Sequence, residues 1–136
     1  MRKAKERADG LLHLFDLAHL GAVAAGALPH GADRLVGIAR ALASAPAFLL
    51  LDEPAAGLNE SESDALLASL TEVRDAFDLG LVVIEHDMRL VMRLCERLHV
   101  LDHGRTIAVG SPDEVRRDPD VLDAYLGTDG AAGAFG

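Results

Sequence analysis

The segment from Phe48 to Pro54 constrains the fold of this chain more than any other. It reads Phe-Leu-Leu-Leu-Asp-Glu-Pro, so four apolar residues end in two adjacent carboxylates and a proline. The apolar run predicts a short strand that is buried on both faces, as in a parallel sheet. Because Pro54 cannot continue a central strand, Asp52 and Glu53 are predicted at its carboxyl end, where open α/β sheets bind ligands. Strand side chains alternate in direction, so the two carboxylates can do different jobs, such as holding a metal and polarising a water.

Composition excludes several classes of function. The formal net charge is −9 over 136 residues and no basic block occurs, which argues against electrostatic binding to nucleic acid or to an anionic membrane. The single cysteine, Cys95, excludes an internal disulfide and suits a reducing cytoplasm. No apolar run reaches the ~20 residues of a membrane span. No apolar region follows the charged start, so no signal peptide is expected.

Apolar spacing and turn residues predict an α/β domain with a parallel sheet, because strands and helices alternate. Two buried parallel strands are too few for a complete sheet, so the chain is expected to be the second half of such a domain. In the long helix, Leu66, Leu70, Val73 and Phe77 are predicted to face the core. The predicted elements are helices over 3–17 and 33–44, a strand over 47–51, a long helix opened by a capping box at Asn59, a strand over 81–84, a helix over 88–95, a hairpin of strands 98–101 and 106–109 turning at His103-Gly104, and short helices after a second capping box at Ser111 and after Asp118.

Four motifs follow one another along the chain in a fixed order. They are Leu-Pro-His-Gly-Ala-Asp-Arg over 28–34 with Ile-Ala-Arg-Ala-Leu over 38–42, the strand ending Asp52-Glu53-Pro54 with Ala-Ala-Gly-Leu-Asn over 55–59, the strand ending Glu85-His86-Asp87, and the ending Pro-Asp-Val-Leu-Asp-Ala-Tyr-Leu-Gly over 119–127. Together they resemble the ATPase subunit of ATP-binding cassette (ABC) transporters. The resemblance covers roughly residues 2–127, and several of the motifs are similar to those of the branched-chain amino acid importers.

The resemblance implies part of a P-loop NTPase-like three-layer α/β fold, with parallel core strands, a carboxyl-terminal hairpin and flanking helices. Residues 1–127 would be the carboxyl-terminal part of an ABC ATPase domain. Residues 1–45 would form its helical and signature region, 46–110 the core with the Walker B, D-loop and H-loop motifs, and 111–127 the last helices. The Gly/Ala-rich segment 128–136 is predicted to be a disordered tail.

The resemblance also implies the chemistry of the site, with ATP and Mg²⁺ as cofactors of the complete domain. Asp52 would bind the Mg²⁺ of the nucleotide, usually through water. Glu53 would polarise the attacking water as general base. His86 would contact the γ-phosphate and the same water. Phosphoryl transfer depends mostly on positioning and charge stabilisation, which suits these residue types.

Three further residues would act between two subunits. Gly31 and the start of the following helix would face the nucleotide of a partner subunit, since a helix amino terminus suits a phosphate. His30 could supply a donor in place of the serine hydroxyl that Pro29 removes. Asn59 would sit in the dimer interface and also cap its helix.

Each of these residues also has an ordinary structural interpretation. The carboxylates can be solvated charge, His86 a surface histidine, and Gly31 a turn glycine.

The 136 residues contain no Gly-x-x-x-x-Gly-Lys-Ser/Thr loop, and no lysine follows Lys5. Since the loop that cradles phosphates is missing, and the glutamine loop with it, this chain alone is expected not to hydrolyse ATP.

The leading interpretation is a fragment of the ATP-binding subunit of an ABC importer of branched-chain amino acids. Its expected partners are a membrane permease, a second ATPase copy in a head-to-tail dimer, and the missing amino-terminal half of the domain, on the cytoplasmic face of the inner or plasma membrane. One alternative is a non-catalytic truncated or split cassette that acts as an interaction module. Another is a soluble cassette ATPase of translation or DNA repair, although the basic or inserted segments of such proteins are not visible.

Overall fold

The computed structural model describes residues 2–29 and 31–126. His30 and the predicted tail 128–136 lie outside the described residues. The chain divides into two compact units, the first ending at Ile84 and the second beginning at Glu85. Neither unit, in the part that the structure describes, has a helix with the length and apolar character needed to span a membrane.

The first unit combines helices with a parallel pair of strands. Its elements are α1 (Arg2–Leu14), α2 (Ala32–Leu42), β1 (Phe48–Asp52), α3 (Glu60–Phe77) and β2 (Gly80–Ile84), with short 3₁₀ turns at Ala18–Leu20 and Ala25–Ala27. β1 and β2 pair in parallel, with Leu50 opposite Val82 and Asp52 opposite Ile84. The predicted parallel pairing is therefore present, and both strands end at the same edge of the sheet.

This sheet is covered on one face only by the residues that the structure describes. Leu49 and Leu51 are buried, whereas Phe48 and Leu50 on the opposite face are 66% and 73% exposed. Val82 and Ile84 of β2 are 50% and 62% exposed. The prediction that the strand is buried on both faces is therefore wrong for this chain. We call the surface formed by Phe48, Leu50, Val82 and Ile84 the open sheet face.

The long helix α3 supplies much of the core of the first unit. Its residues Leu66, Leu70 and Val73 are buried as predicted, but Phe77 is 42% exposed, so its predicted place in the core is wrong. Phe77 is the last residue of the helix, and Asp78 directly after it adopts a left-handed conformation with φ of 47°. The chain turns at this point, so helical spacing no longer decides which way the last side chain faces.

The amino terminus of α3 is fixed by the predicted capping box. The Asn59 side-chain oxygen accepts a hydrogen bond from the Glu62 N–H at 2.9 Å, and the Glu62 carboxylate accepts one from the Asn59 N–H at 2.9 Å. These bonds satisfy two backbone donors that the helix itself leaves without partners.

We expect Asn59→Ala to lower the free energy of unfolding by about 1 kcal/mol, because alanine cannot accept the Glu62 N–H bond. Urea unfolding of the 136-residue chain measures the change. Glu62→Gln is the matched control, since its amide oxygen still accepts from the Asn59 N–H, and it should cost less than half as much. Equal stability of Asn59→Ala and the parent chain would contradict the cap.

The second unit contains a hairpin and short helices. Its elements are α4 (Met88–Leu94), β3 (Leu98–Asp102), β4 (Arg105–Gly110), α5 (Pro112–Val115) and α6 (Pro119–Leu126). β3 and β4 pair antiparallel through His103 and Gly104, whose φ angles are 45° and 76°. Positive φ at both central residues is what a tight hairpin turn requires, and the predicted hairpin is present.

The second predicted capping box is also present and fixes the start of α5. The Glu114 carboxylate accepts hydrogen bonds from the backbone N–H of Ser111 at 2.7 Å and from its hydroxyl at 2.9 Å. These bonds stabilise the charged form and hold the pKa of Glu114 below its ordinary value.

Candidate functional site

Asp52 and Glu53 lie where the two parallel strands end. Asp52 is the last residue of β1, opposite Ile84, the last residue of β2. Glu53 leaves the strand with φ of 45°, and its N–H donates to the carbonyl oxygen of Ile84 at 2.8 Å. Both acidic residues are exposed. Glu53 therefore lies in a turn that is hydrogen-bonded to the neighbouring strand. The two carboxylates do not simply alternate along one strand, as the sequence had predicted.

The conformation of Glu53 is unusual for a residue with a side chain. A left-handed conformation at a residue other than glycine costs of order 1–3 kcal/mol and persists where the surroundings enforce it. Here the bond to Ile84 and a bond from the Ala56 N–H to the Glu53 carbonyl oxygen, at 3.1 Å, fix both sides of the residue. The backbone at Glu53 is thus held in one orientation at the edge of the sheet.

The turn that follows β1 leads directly into the cap of α3. The Leu58 N–H donates to the Ala55 carbonyl oxygen at 3.1 Å, and Gly57 has φ of 77°. Asn59 comes next and is exposed at the start of α3. Its side chain is used in the capping box, which confirms the structural half of its predicted double role and leaves its contact with a partner as a prediction.

The segment before α2 lies against this same turn. Gly31 has φ of 92°, a conformation that residues with side chains rarely adopt, and a methyl group added there would lie 3.6 Å from Leu58 Cδ2. In the first turn of α2, the Arg34 guanidinium donates to the carbonyl oxygens of Pro54, at 3.0 Å, and of Ala56. The first unit therefore places the start of α2 beside the turn that follows Asp52 and Glu53.

His86 belongs to the second unit, in the segment that precedes α4. Its side chain is 73% exposed, whereas the side chain of its neighbour Glu85 is completely buried. The Glu85 carboxylate accepts hydrogen bonds from the N–H groups of His86, at 3.0 Å, and of Asp87, at 3.2 Å. Asp87 in turn accepts from the N–H groups of Arg89 and Leu90 and caps α4.

Two residues of this arrangement were not predicted from the sequence. Arg34 bonds to Pro54 and Ala56, which are 20 and 22 residues away, and nothing in the sequence indicates these partners. Glu85 is visible in the sequence only as part of a strand ending. The only signal for Glu85 is its place between an apolar strand and a helix cap. That place does not indicate that its side chain is buried.

The carboxylate of Asp52 suits Mg²⁺ that arrives with a nucleotide. Over residues 2–29 and 31–126, no three or more His, Cys, Asp or Glu side chains form a group that could hold a metal ion. Mg²⁺ commonly takes one or two protein carboxylates and completes its octahedron with phosphate oxygens and water. An exposed aspartate at the end of a strand is compatible with that mode, whereas an ion held by protein ligands alone needs a larger donor set.

Comparison with known proteins identifies the relatives of this chain. Residues 105–131 match the family model described as branched-chain amino acid ATP-binding cassette transporter. The chain is 40% identical over 126 residues to the high-affinity branched-chain amino acid transport ATP-binding protein BraF of Pseudomonas aeruginosa, covering 93% of this chain and 49% of BraF. It is 39% identical over 125 residues to LivG of Escherichia coli K12, a protein with the same description, covering 92% of this chain and 49% of LivG.

A solved structure of similar fold is the ADP conformation of MJ1267, an ATP-binding cassette of an ABC transporter. It superposes with a TM-score of 0.79 at 30% sequence identity, over 92% of this chain and 50% of that one. The chain spans about half the length of the relatives it matches, and it aligns with their carboxyl-terminal half. These comparisons confirm the predicted resemblance to branched-chain ABC ATPases and the predicted fold class.

Proposed function

We propose that this chain is the carboxyl-terminal half of the ATP-binding subunit of an ABC importer, and that the complete subunit couples ATP hydrolysis to the import of branched-chain amino acids. The observation that carries the proposal is the position of Asp52 and Glu53 at the shared end of two parallel strands, in a chain 40% identical to BraF over 93% of its length. The partners are a membrane permease and a second ATPase copy, at the cytoplasmic face of the membrane.

Asp52 is the residue of this chain that would hold the Mg²⁺ of the bound nucleotide. The ion supplies charge stabilisation of the transferred phosphoryl group when it is bound. Asp52 ends β1 and is paired in register with β2, so its backbone is fixed by a pair of strands and does not belong to a loop. Sites on such elements hold their geometry better than sites on loops.

Glu53 orients the attacking water and accepts its proton as general base. The water oxygen forms a bond to the γ-phosphorus while the bond from that phosphorus to the β–γ bridging oxygen breaks, and ADP leaves with the bridging oxygen. The two backbone bonds at Glu53 fix the direction in which its side chain leaves the turn. Preorganisation of this kind lowers the cost of reaching the transition state.

The remaining residues act on phosphate, water and the second subunit. His86 contacts the γ-phosphate and the attacking water, and its exposure leaves the ring accessible to them. In a head-to-tail pair, Gly31 and the amino terminus of α2 face the partner's nucleotide, with His30 as an added donor. Asn59 contacts the partner while it caps α3. The bonds from Arg34 to the turn after β1 then link the segment facing one nucleotide to the carboxylates facing the other.

The open sheet face supports a further partner, the amino-terminal half of the cassette. Four large apolar side chains on neighbouring strands are half to three-quarters exposed there. Strands of parallel α/β sheets are ordinarily covered on both faces. Since the chain matches only about half of BraF, the unmatched amino-terminal half is the natural cover for this surface.

ATP turnover tests the proposal. The purified 136-residue chain should show no Mg²⁺-dependent turnover, because it contains no phosphate-cradling loop. A chimera in which residues 2–126 replace the matching half of BraF should hydrolyse ATP, with BraF itself as positive control. Turnover by the chain alone would contradict the prediction that hydrolysis needs the phosphate-cradling loop of the missing half.

A second candidate is a non-catalytic split cassette that docks on a partner, with Asp52, Glu53 and His86 idle. The observation that favours it is the open sheet face, where four large apolar side chains are exposed and suited to contact with a partner. A chimera that binds ATP without hydrolysing it, beside active BraF, would overturn the catalytic proposal and support this candidate.

A further inference from the structure

We propose that Glu85 is a positioning residue for His86: its buried carboxylate fixes the backbone on both sides of the histidine and directs the proton of the neutral ring to Nδ1. The proposal rests on the proposed function, in which His86 contacts the γ-phosphate and the attacking water. Glu85 touches neither and acts only through His86.

The burial of Glu85 is the first argument. Its side chain is 0% exposed although the adjacent His86 side chain is 73% exposed. Glutamate is almost never fully buried unless it is paired, because removing a carboxylate from water is costly. An apolar residue would end an apolar strand without that cost. A local exception to the ordinary rules of sequence and burial is expected at functional sites.

The hydrogen bonds of the buried carboxylate show which backbone groups it holds in place. Glu85 Oε2 accepts from the N–H of His86 and from the N–H of Asp87, at 3.0 and 3.2 Å. These two groups belong to the peptide units on either side of the His86 Cα atom. Holding both restricts the direction in which the histidine side chain leaves the backbone. Asp87 anchors the far end of the segment, since it also caps α4.

The position of the ring is the second argument. His86 Nδ1 lies 3.7 Å from the same Glu85 Oε2. A negative charge beside one ring nitrogen favours the proton on that nitrogen, and the partner of one nitrogen sets the state of the other. With the proton on Nδ1, Nε2 carries a lone pair and accepts a hydrogen bond from the attacking water. A protonated ring donates from Nε2 to a phosphate oxygen instead.

The tautomer can be read directly from the 136-residue chain. Long-range ¹H–¹⁵N spectra, recorded at a pH where the rings are neutral, separate a ring protonated on Nδ1 from one protonated on Nε2, and His86→Gln identifies the signal. We expect Nδ1 of His86 to give the protonated, pyrrole-like signal. Glu85→Ala should move His86 to the Nε2-protonated form of a free imidazole. His99 and His103 serve as internal controls, because their ring nitrogens contact Thr106 and Asp102.

Glu85→Gln keeps an oxygen that can accept the two backbone N–H bonds but removes the charge. It should leave the backbone amide signals of His86 and Asp87 close to their original positions and still shift the ring toward the Nε2-protonated form. If Glu85→Ala does not fold, Glu85→Gln decides whether the Glu85 charge directs the His86 tautomer. A His86 tautomer that is the same in the parent chain and in each folded variant, with the controls unchanged, overturns the proposal.

Kinetics of the BraF chimera supply a second measurement. Glu85→Ala should lower kcat roughly 10- to 100-fold, the usual cost of losing a residue that orients a functional ligand, with KM for ATP within a factor of about two. An unchanged kcat in an active chimera overturns the positioning role and leaves the proposed function intact. An inactive chimera beside active BraF overturns the proposed function, while the tautomer measurement on the chain alone still decides whether Glu85 directs the ring.

Discussion

Glutamine in place of Glu53 is expected to lower kcat for ATP hydrolysis by the chimera roughly 10²- to 10⁴-fold, the range that a positioned general base contributes. The amide preserves the size and the hydrogen-bonding reach of the side chain but cannot take the proton of the attacking water. Binding of ATP should change little, because in the proposed function Glu53 acts on the water and not on the nucleotide. A coupled assay of phosphate release, run beside ATP binding, separates the two effects.

The matched control for this variant is Glu72→Gln, which makes the same chemical change at an exposed position in the middle of α3. Its kcat should stay within about threefold of the parent, as expected for a surface substitution. Glu53→Gln should also accumulate an ATP-bound dimer, visible as a larger species by light scattering only when ATP is present. A Glu53→Gln chimera that still releases phosphate at the parental rate would remove Glu53 from the role of general base.

Local features of the fold could be predicted from the sequence because local chemistry determines them. The boxes at Asn59 and Ser111 each need only a side chain and a glutamate three residues later, and both are present. The hairpin at His103 and Gly104 needs two residues that tolerate positive φ. In each case the interacting groups lie within a few residues of one another, so no knowledge of the rest of the domain is required.

Burial could not be predicted in the same way, because it depends on what else is packed nearby. Four consecutive apolar residues indicate that a strand is suited to burial on both faces, and the exposure of Phe48 and Leu50 reflects what the described residues provide as cover. Phe77 has helical spacing with the core but lies at the point where the chain turns. Glu85 shows the opposite case, a charged residue whose side chain is completely buried although no pattern in the sequence indicates it.

In the candidate site too, local features can be predicted from the sequence and long-range contacts cannot. The positions of Asp52 and Glu53 at a strand end follow from an apolar run and a proline, which can be read directly. The left-handed turn at Glu53 depends on its bond to Ile84, 31 residues later in the chain, and the bonds of Arg34 reach 20 and 22 residues away. Residue types could thus be assigned from the sequence, whereas the contacts that hold them in place required the tertiary structure.

The largest effect on assembly is expected from Leu50→Asp on the open sheet face. We expect the 136-residue chain to bind the separately produced amino-terminal half of BraF, and this variant to weaken that binding by at least about 100-fold. A loss of that size corresponds to roughly 2.7 kcal/mol, which is well within the cost of burying an unpaired carboxylate in an apolar contact. Titration calorimetry or sedimentation of the mixed halves measures the affinity.

Leu101→Asp is the matched control, since it makes the same substitution on a strand of the second unit where the side chain is 58% exposed, compared with 73% for Leu50. Both variants add one negative charge to a chain of formal net charge −9, so a difference between them cannot arise from charge alone. Leu101→Asp should bind within about threefold of the parent. Equal weakening by both variants would show that the open sheet face is not the contact surface. If the parent chain forms a dimer that excludes the amino-terminal half and that only Leu50→Asp dissociates, the face is covered by a second copy of this chain instead.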